Sequence, residues 1–437
     1  MYMKRRVAVT GLGIISPCGN NIDDFSFNLM AGKSGVGRIS AAYSSLLSVK
    51  VAAEVDFNPL DYFIKKQVSR MDRINQFALA AASQVWKDSE PSLDAKEKER
   101  AGVYIGCGMG GGNTIEDLYD QLFKHNADRV KPLTVLMVMN NASASHISIE
   151  YGLSGPCLTL STACASSANA IGEAFRQIRD GYVDVMLAGG AEAFLTYGSF
   201  RSWESLRLLA VEDPEDPSKS CKPFSKNRTG LVLGEGAAMV VLEEMERAVR
   251  RGAPIYAELI GYGSTSDAGH ITRPSLEGQA RVMSEALKDA GLLPEDIDYI
   301  NAHGTATQWN DLMETQAIKK VFGDYACKVP VSSTKSMHGH TMGAAGAIEF
   351  IVSLLAIKNH AVPPTINLDQ PDPECDLDYV PNIGRKGVKV NTVMSNSFAF
   401  GGTNAVLIAR KVEEAATQSS SRNRRQTFAM LRAAEPC

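Results

Sequence analysis

Cys164 lies in the stretch "CLTLSTACASSANAIGEAFRQI", residues 157–178, between a strand-like run and a helix-like run. Upstream, "CLTLST" is β-branched and apolar enough for a buried strand. Downstream, Ala168, Ile171, Phe175 and Ile178 keep helical spacing, and Ser166 and Ser167 suit a helix start. The thiol is therefore expected at or just before the first helical turn. Free N–H groups and the helix dipole favour an anion there, so a lowered thiol pKa is expected. Spacing alone leaves two readings open. The thiol is a nucleophile on a rigid strand–turn–helix junction, or a small apolar residue filling the core.

A nucleophilic thiol needs a base or charge-stabilising donors beside it. His125, His146 and His360 have no special context, and His270 in "SDAGHITRP" belongs to a loop suited to lining a cleft. His303 in "YINAHGTAT" closes a strand beside Gly304. His340 in "SSTKSMHGHTMGAAGAIE" precedes a Gly/Ala-rich helix, with Lys335 and His338 shortly before it. A single imidazole is usually a satisfied structural group. Two of them at element ends beside glycines point to chemistry shared with the thiol.

Such a set needs a scaffold that brings distant segments together. Strand-like and helix-like runs alternate along the chain, from "RRVAVTGLGII" to "VNTVMSNSFAFGGTNAVLIARK". "RINQFALAAASQVWKD" (73–88) reads as an amphipathic helix with Phe77, Ala81 and Val85 on one face. The pattern is α/β in two halves of comparable size. An N-terminal half, 1–255, carries Cys164, and a C-terminal half, 256–412, carries His303, Lys335 and His340. Residues 413–437 are polar and aperiodic and are expected to be disordered.

The 437 residues exceed one ordinary core. A net charge of −4 argues against a nucleic-acid surface. No apolar run is expected to span a bilayer, and "MYMKRRVAVTGLG" lacks a signal-peptide core, so a cytoplasmic enzyme is expected. The eight cysteines form no CxxC pair, so reduced thiols are expected rather than a disulfide or zinc scaffold. "GLGIIS" is short of GxGxxG, and Asp23 and Asp24 follow too soon to hold a ribose; these read as tight-turn glycines.

Four motifs in order, "STACASSANAIG", "NAHGTAT" followed by Asn310 and Asp311, "SSTKSMHGHTMGAAGAIE" and "NSFAFGGTNA", make the chain resemble the β-ketoacyl-acyl-carrier-protein synthases. These are the elongating condensing enzymes of fatty-acid and type II polyketide synthesis. The likeness spans residues 4–411. It implies a thiolase-like fold, with two similar α/β halves in five αβαβα layers, and a tight homodimer. It implies Cys164 as nucleophile, His303 and His340 as catalytic histidines, Lys335 as the active-site lysine, Glu349 as its acid and Phe400 as a gate. Backbone N–H groups of Cys164 and Phe400 are the implied oxyanion donors.

The implied reaction is decarboxylative Claisen condensation of an acyl group on Cys164 with a malonyl thioester. The "FGGTNA" segment lacks the second thiol of thiolases, which favours decarboxylation as the carbanion source. Thr305, Thr307 and Thr272 are implied contacts to pantetheine amides, with Phe398 in the same pocket and Met109 at the floor of the acyl pocket. Lys65, Lys66, Arg70, Arg73 and Arg207 resemble a basic patch for an acidic acyl carrier protein. As a sequence feature alone, "KKQVSRMDR" is an ordinary solvated helix face. No metal or cofactor is expected, since the carrier's phosphopantetheine brings the substrates.

The chain departs from the family pattern at Gln308 and Trp309, at His338, where Thr is usual, and at Ala399, where Gly is usual. A methyl at 399 narrows backbone freedom if the gate needs positive φ. These departures lean towards polyketide or polyene synthesis over fatty-acid elongation and leave both open. Two other readings remain: the catalytic half of a heterodimer with a cysteine-less chain-length partner, and a Cys-His acyl-thioester hydrolase.

Overall fold

A computed structural model describes residues 4–413, so the tail expected at 413–437 lies, past its first residue, outside the described residues. The first half supplies strands β1 (Val7–Ile15), β2 (Ala101–Gly106), β3 (Cys157–Leu160), β4 (Val185–Glu192) and β5 (Gly236–Glu244). The second supplies β6 (Ala257–Ser266), β7 (Tyr299–Asn301), β8 (Val331–Ser332), β9 (Thr392–Phe398) and β10 (Thr403–Arg410). The first five lie in the order β3-β2-β4-β5-β1 and the second five in the order β8-β7-β9-β10-β6. Each set thus repeats the order third, second, fourth, fifth, first. In each, the fifth strand runs antiparallel to both its neighbours while the second pairs in parallel. Three residue pairs, Val7↔Leu259, Ala8↔Glu258 and Val9↔Ala257, join β1 to β6, so the two sheets run on as one of ten strands.

Five helices make the layers: α1 (Arg73–Ser89), α2 (Ser166–Arg179), α3 (Leu276–Ala290), α4 (Gln308–Phe322) and α5 (Ala345–Asn359). The helices α2 and α5 pack on each other between the two sheets, α1 covers the first sheet, and α3, with α4 packed on it, covers the second. The result is the thiolase-like αβαβα arrangement. Because helices cover both faces, strands such as "GAAMVVLEE" are buried along nearly their whole length rather than at alternate residues. Gly346 is the close-contact point of the central pair: a Cβ there would stand 2.8 Å from Ala168 Cβ. That contact brings the start of α2, beside Cys164, against the start of α5, beside His340.

Three expectations are corrected. Gly11 and Gly13 lie inside β1, not in a turn; side chains there would run into the α1 backbone at Val85 and Ala81, so these glycines let helix and strand meet. The run "CLTLST" makes an edge strand with Leu158 half exposed, because β3 pairs on one side only. Met342–Asn359 is long and apolar enough to cross a membrane by length and composition, but 89% of it is buried within the protein as the central layer's helix.

Candidate active site

Cys164 sits on a 3-10 turn, Ala163–Ala165, that feeds directly into α2. Its neighbour Ala163 has φ +49, and Met342 beside His340 has φ +46. Left-handed backbone at non-glycine residues costs about 1–3 kcal/mol each and persists where packing over-determines it. Here it aims the two turns at each other. His340 Nε2 lies 3.1 Å from Cys164 Sγ. One ring nitrogen each from His303 and His340, together with Sγ, all fall within 4.8 Å of one another, and all three residues are buried. The two imidazoles meet edge to face, with centroids 5.4 Å apart.

Hydrogen bonds set the tautomers. The Met342 N–H donates to His340 Nδ1 over 3.2 Å, so the proton sits on Nε2, facing the sulfur. The Lys335 ammonium lies 3.3 Å from His303 Nδ1 and donates to the His303 carbonyl at 2.6 Å, which places the His303 proton on Nε2 as well. Lys335 also pairs with Glu349, and both are buried. Glu314 accepts the backbone N–H groups of His303 (2.8 Å) and Gly304 (2.7 Å), which fixes the strand end that carries the ring.

Burial pushes the Cys164 thiol up to about 12, against the pull of Lys335 and of the backbone N–H groups of Phe400 and Cys164. This overturns the expected lowered value. The helix-end donors are present, but the apolar residues behind the sulfur, Phe194, Phe200, Leu209 and Met342 among them, exclude the water a thiolate needs. Burial, then the Lys335 charge, holds His303 and His340 well below the usual 6.5, so both rings are neutral at physiological pH. Three groups so spaced could ligate a soft metal. The Nε2–H tautomers suit them instead for donating to a developing oxyanion.

Burial raises Glu349 to about 7 while Lys335 opposes. Glu349→Gln would leave a buried ammonium without its counter-charge. The expected cost is about 3–5 kcal/mol of stability. A denaturant midpoint within error of the parent protein would show that Lys335 finds its balance elsewhere.

The site opens into a cleft lined by Cys164, His303 and His340. Thr272, Thr305, Thr307, Phe398 and Phe400 line the same cleft. The Thr305 and Thr307 hydroxyls are 2.9 Å apart. Trp309 is 63% exposed at the mouth, while Gln308 turns away to donate to the Arg228 carbonyl. His270 is no part of the lining; its Nδ1 accepts the N–H groups of Thr272 and Arg273 and pins their loop. His338 is buried behind the cleft, bonded to Thr334 and to the Gly339 carbonyl.

Other expected residues fall elsewhere. Met109 is 55% exposed and does not reach the cleft within one copy. Lys65, Lys66, Arg70 and Arg207 are exposed, but Arg73 is not a free cation. It forks onto Glu235 at 2.6 Å and lies over the Phe77 ring, because α1 starts under the first sheet. Ala399 has extended backbone, φ −116, so its methyl meets no positive-φ demand; that demand falls on Gly401 and Gly402.

Sequence reasoning missed three supports. Glu314 holds the His303 backbone. Buried Arg228, paired with Asp372, donates to the carbonyls of Thr307 and Gln308 and so shapes the threonine loop. Glu192 accepts N–H groups from Gly108, Met109 and Gly343. The available signal was Asp311 and Glu314, acids three apart on the inward face of α4, where a carboxylate needs a reason to be buried.

With this geometry in hand, comparison with known proteins is informative. A family model described as "Beta-ketoacyl synthase, N-terminal domain" matches residues 4–248, and "Beta-ketoacyl synthase, C-terminal domain" matches 256–369. A 3-oxoacyl-[acyl-carrier-protein] synthase 2 of Coxiella burnetii is 46% identical over 412 residues, covering 94% of this chain and 99% of its own. Its namesake in Staphylococcus aureus (strain COL) is 44% identical over 416 residues, covering 94% and 100%. Among solved structures, a ketosynthase/chain length factor of ishigamide superposes with TM-score 0.87 at 36% identity, covering 94% of this chain and 100% of that one. A type II polyketide ketosynthase solved with its acyl-carrier protein and bound hexaketide gives 0.86 at 36%, with the same coverage.

Proposed function

Since the chain belongs to the β-ketoacyl synthase family, we propose that it catalyses decarboxylative Claisen condensation of an acyl group with malonyl-acyl carrier protein. The observation that carries this reading is the buried meeting of Cys164 Sγ with two imidazoles whose Nε2–H groups face the cleft.

Cys164 sulfur attacks the acyl thioester carbonyl, and the thiol proton leaves on the departing pantetheine thiol. The oxyanion is held by the backbone N–H groups of Cys164 and Phe400. The malonyl thioester then takes the vacated place, its arm along Thr272, Thr305 and Thr307. Loss of carbon dioxide leaves an enolate whose oxygen accepts from His303 and His340. Neutral donors suit this role, since they stabilise the anion without protonating it away. The enolate carbon attacks the acyl-Cys164 carbonyl, the C–S bond breaks, and β-ketoacyl-carrier departs. Cys164 thiolate takes one proton from solvent, matching the negative charge the malonyl carboxylate brought. Lys335 and Glu349 hold His303 in its tautomer.

The chemistry above is proposed to run without a metal or an organic cofactor, its substrates arriving on the carrier's phosphopantetheine. The repeated strand order supports a division at about residue 255 into a cysteine-bearing half and a histidine-bearing half. Unpaired β3, with exposed Leu158 and Met109 nearby, supports homodimer contact along that edge, which would return Met109 to the acyl pocket. The same edge would serve a cysteine-less chain-length partner. Lys65, Lys66, Arg70 and Arg207 suit an acidic carrier protein, and a cytoplasmic enzyme is proposed. The hydrolase reading is weaker, because neither Nε2 is free to act as base toward water. Fatty-acid elongation and type II polyketide synthesis both fit this chemistry.

With acyl- and malonyl-carrier supplied, the expected product is a β-ketoacyl-carrier two carbons longer, with a KM for carrier that rises with salt. Thioester hydrolysis without carbon–carbon bond formation would overturn the reading.

A further inference from the structure

Phe400 is the one cleft residue held on a turn built from two successive glycines in left-handed conformation, Gly401 (φ +80) and Gly402 (φ +73). A Cβ at Gly401 would touch nothing within 4 Å, whereas one at Gly402 would stand 2.8 Å from Asp267 Cβ, so the turn is open at Gly401 and seated at Gly402. Its ties run to backbone atoms: Gly401 N–H to the Ile271 carbonyl at 2.8 Å, and the Gly402 carbonyl accepting from Asp267 N–H at 2.8 Å and from the Asn404 amide at 3.3 Å. The Phe400 ring has one aromatic stack among the described residues, on Trp203, with centroids 5.8 Å apart and planes at 22°.

Trp203 stands on firmer ground. Its helix, Tyr197–Ser205, is nailed at both ends. Glu116 accepts the N–H groups of Tyr197 (2.9 Å) and Gly198 (2.7 Å), and Glu204 accepts those of Ser48 (2.5 Å) and Val49 (2.8 Å). Phe200, one turn before Trp203 and on the same face, is fully buried. Both Trp203 and Phe400 line the cleft of Cys164, and the Cys164 turn packs directly on the Phe400 turn. An indole on a braced helix therefore stacks on a ring that a glycine turn carries beside the nucleophile.

We propose that Trp203 is a positioning residue: its indole latches Phe400, and through it sets both the width of the passage to Cys164 and the place of the Phe400 N–H. This rests on the reading of Cys164 as the acylated thiol. Releasing the latch has two opposite consequences. The sulfur becomes easier for a small reagent to reach, while the oxyanion donor becomes less well placed. The enolate donors, His303 and His340, stand on other elements and keep their place.

The test uses the full-length protein with Trp203→Ala, Trp203→Leu and Trp203→Phe. Three rates are read: alkylation of Cys164 by iodoacetamide, acyl transfer from acyl-carrier, and decarboxylation of malonyl-carrier. In the Ala variant alkylation is expected to rise and acyl transfer to fall, each about three- to tenfold, the range an aromatic stack is worth. Decarboxylation changes less than about twofold on the same reasoning. Leu, which keeps apolar bulk without the stack, shows the same split should Ala not fold, and Phe retains most of the parent behaviour. Unchanged alkylation, or one common factor on all three rates, would overturn the latch. A parent protein that alkylates at Cys164 yet accepts no acyl group would instead overturn the proposed function.

Discussion

Replacing Cys164 with Ala is expected to abolish acyl-enzyme formation and condensation, a loss above about 10³-fold, while malonyl-carrier decarboxylation persists. The contrast follows from the site's division of labour. Attack on the acyl thioester needs sulfur, and Cys164 is the thiol that sits 3.1 Å from an imidazole and lines the cleft. Cys18 and Cys221 are equally buried, with thiols likewise pushed up to about 12, and neither lines that cleft. They cannot stand in. Enolate formation needs the two Nε2–H donors and no thiol, so it survives. Intact-mass analysis after exposure to acyl-carrier reads the first half; carbon dioxide release reads the second. An acyl adduct remaining on the Ala variant would place the nucleophile elsewhere.

The residues that meet in the cleft were legible because each lies at an element end beside small residues. Cys164 is flanked by Ala and Ser, His303 by Gly304, and His340 by Gly339 and the "GAAGA" run. Close approach of α2 and α5 demands a small residue at Gly346, and Gly304 and Gly339 meet Ser333 and Ala53 just as closely, so the geometry leaves a mark on composition. The two-half α/β pattern was legible for the same reason: buried strands and helices alternate with distinct periods. Properties set by distant partners left no such mark. The thiol's raised pKa comes from apolar residues spread from Ile39 to Met342. Arg73 reads as one more cation in "KKQVSRMDR", yet its partner Glu235 lies 162 residues away. Met109 belongs to a surface that a single copy leaves open. Ala399 and the glycines of β1 mislead for a simpler reason: a glycine's presence or absence says only that a Cβ matters, and not whether φ or a neighbouring helix is the cause.

His303→Ala is expected to cut malonyl-carrier decarboxylation by about 10²–10³-fold, the usual cost of one lost oxyanion donor, while acylation of Cys164 stays within a few-fold of the parent rate. The two histidines are not equivalent in the structure. His340 touches the sulfur and keeps its tautomer through Met342 N–H, whereas His303 is held from behind by Lys335 and Glu314 and meets Phe398 edge-on at 5.9 Å. Removing the His303 ring therefore takes away an enolate donor and leaves the thiol's contact intact. Lys335 keeps Glu349, so no unpaired charge is created and the fold should hold. His303→Asn, which restores an N–H on a shorter side chain, should recover part of the decarboxylation and alter acylation little. Equal losses in both half-reactions would mean that His303 acts through the general shape of the cleft. Selective loss of the decarboxylating half ties the neutral imidazole to the charge that appears on the thioester oxygen as carbon dioxide leaves. That is the step for which a pair of unprotonated rings, kept neutral by burial and then by the Lys335 charge behind them, has a physical use.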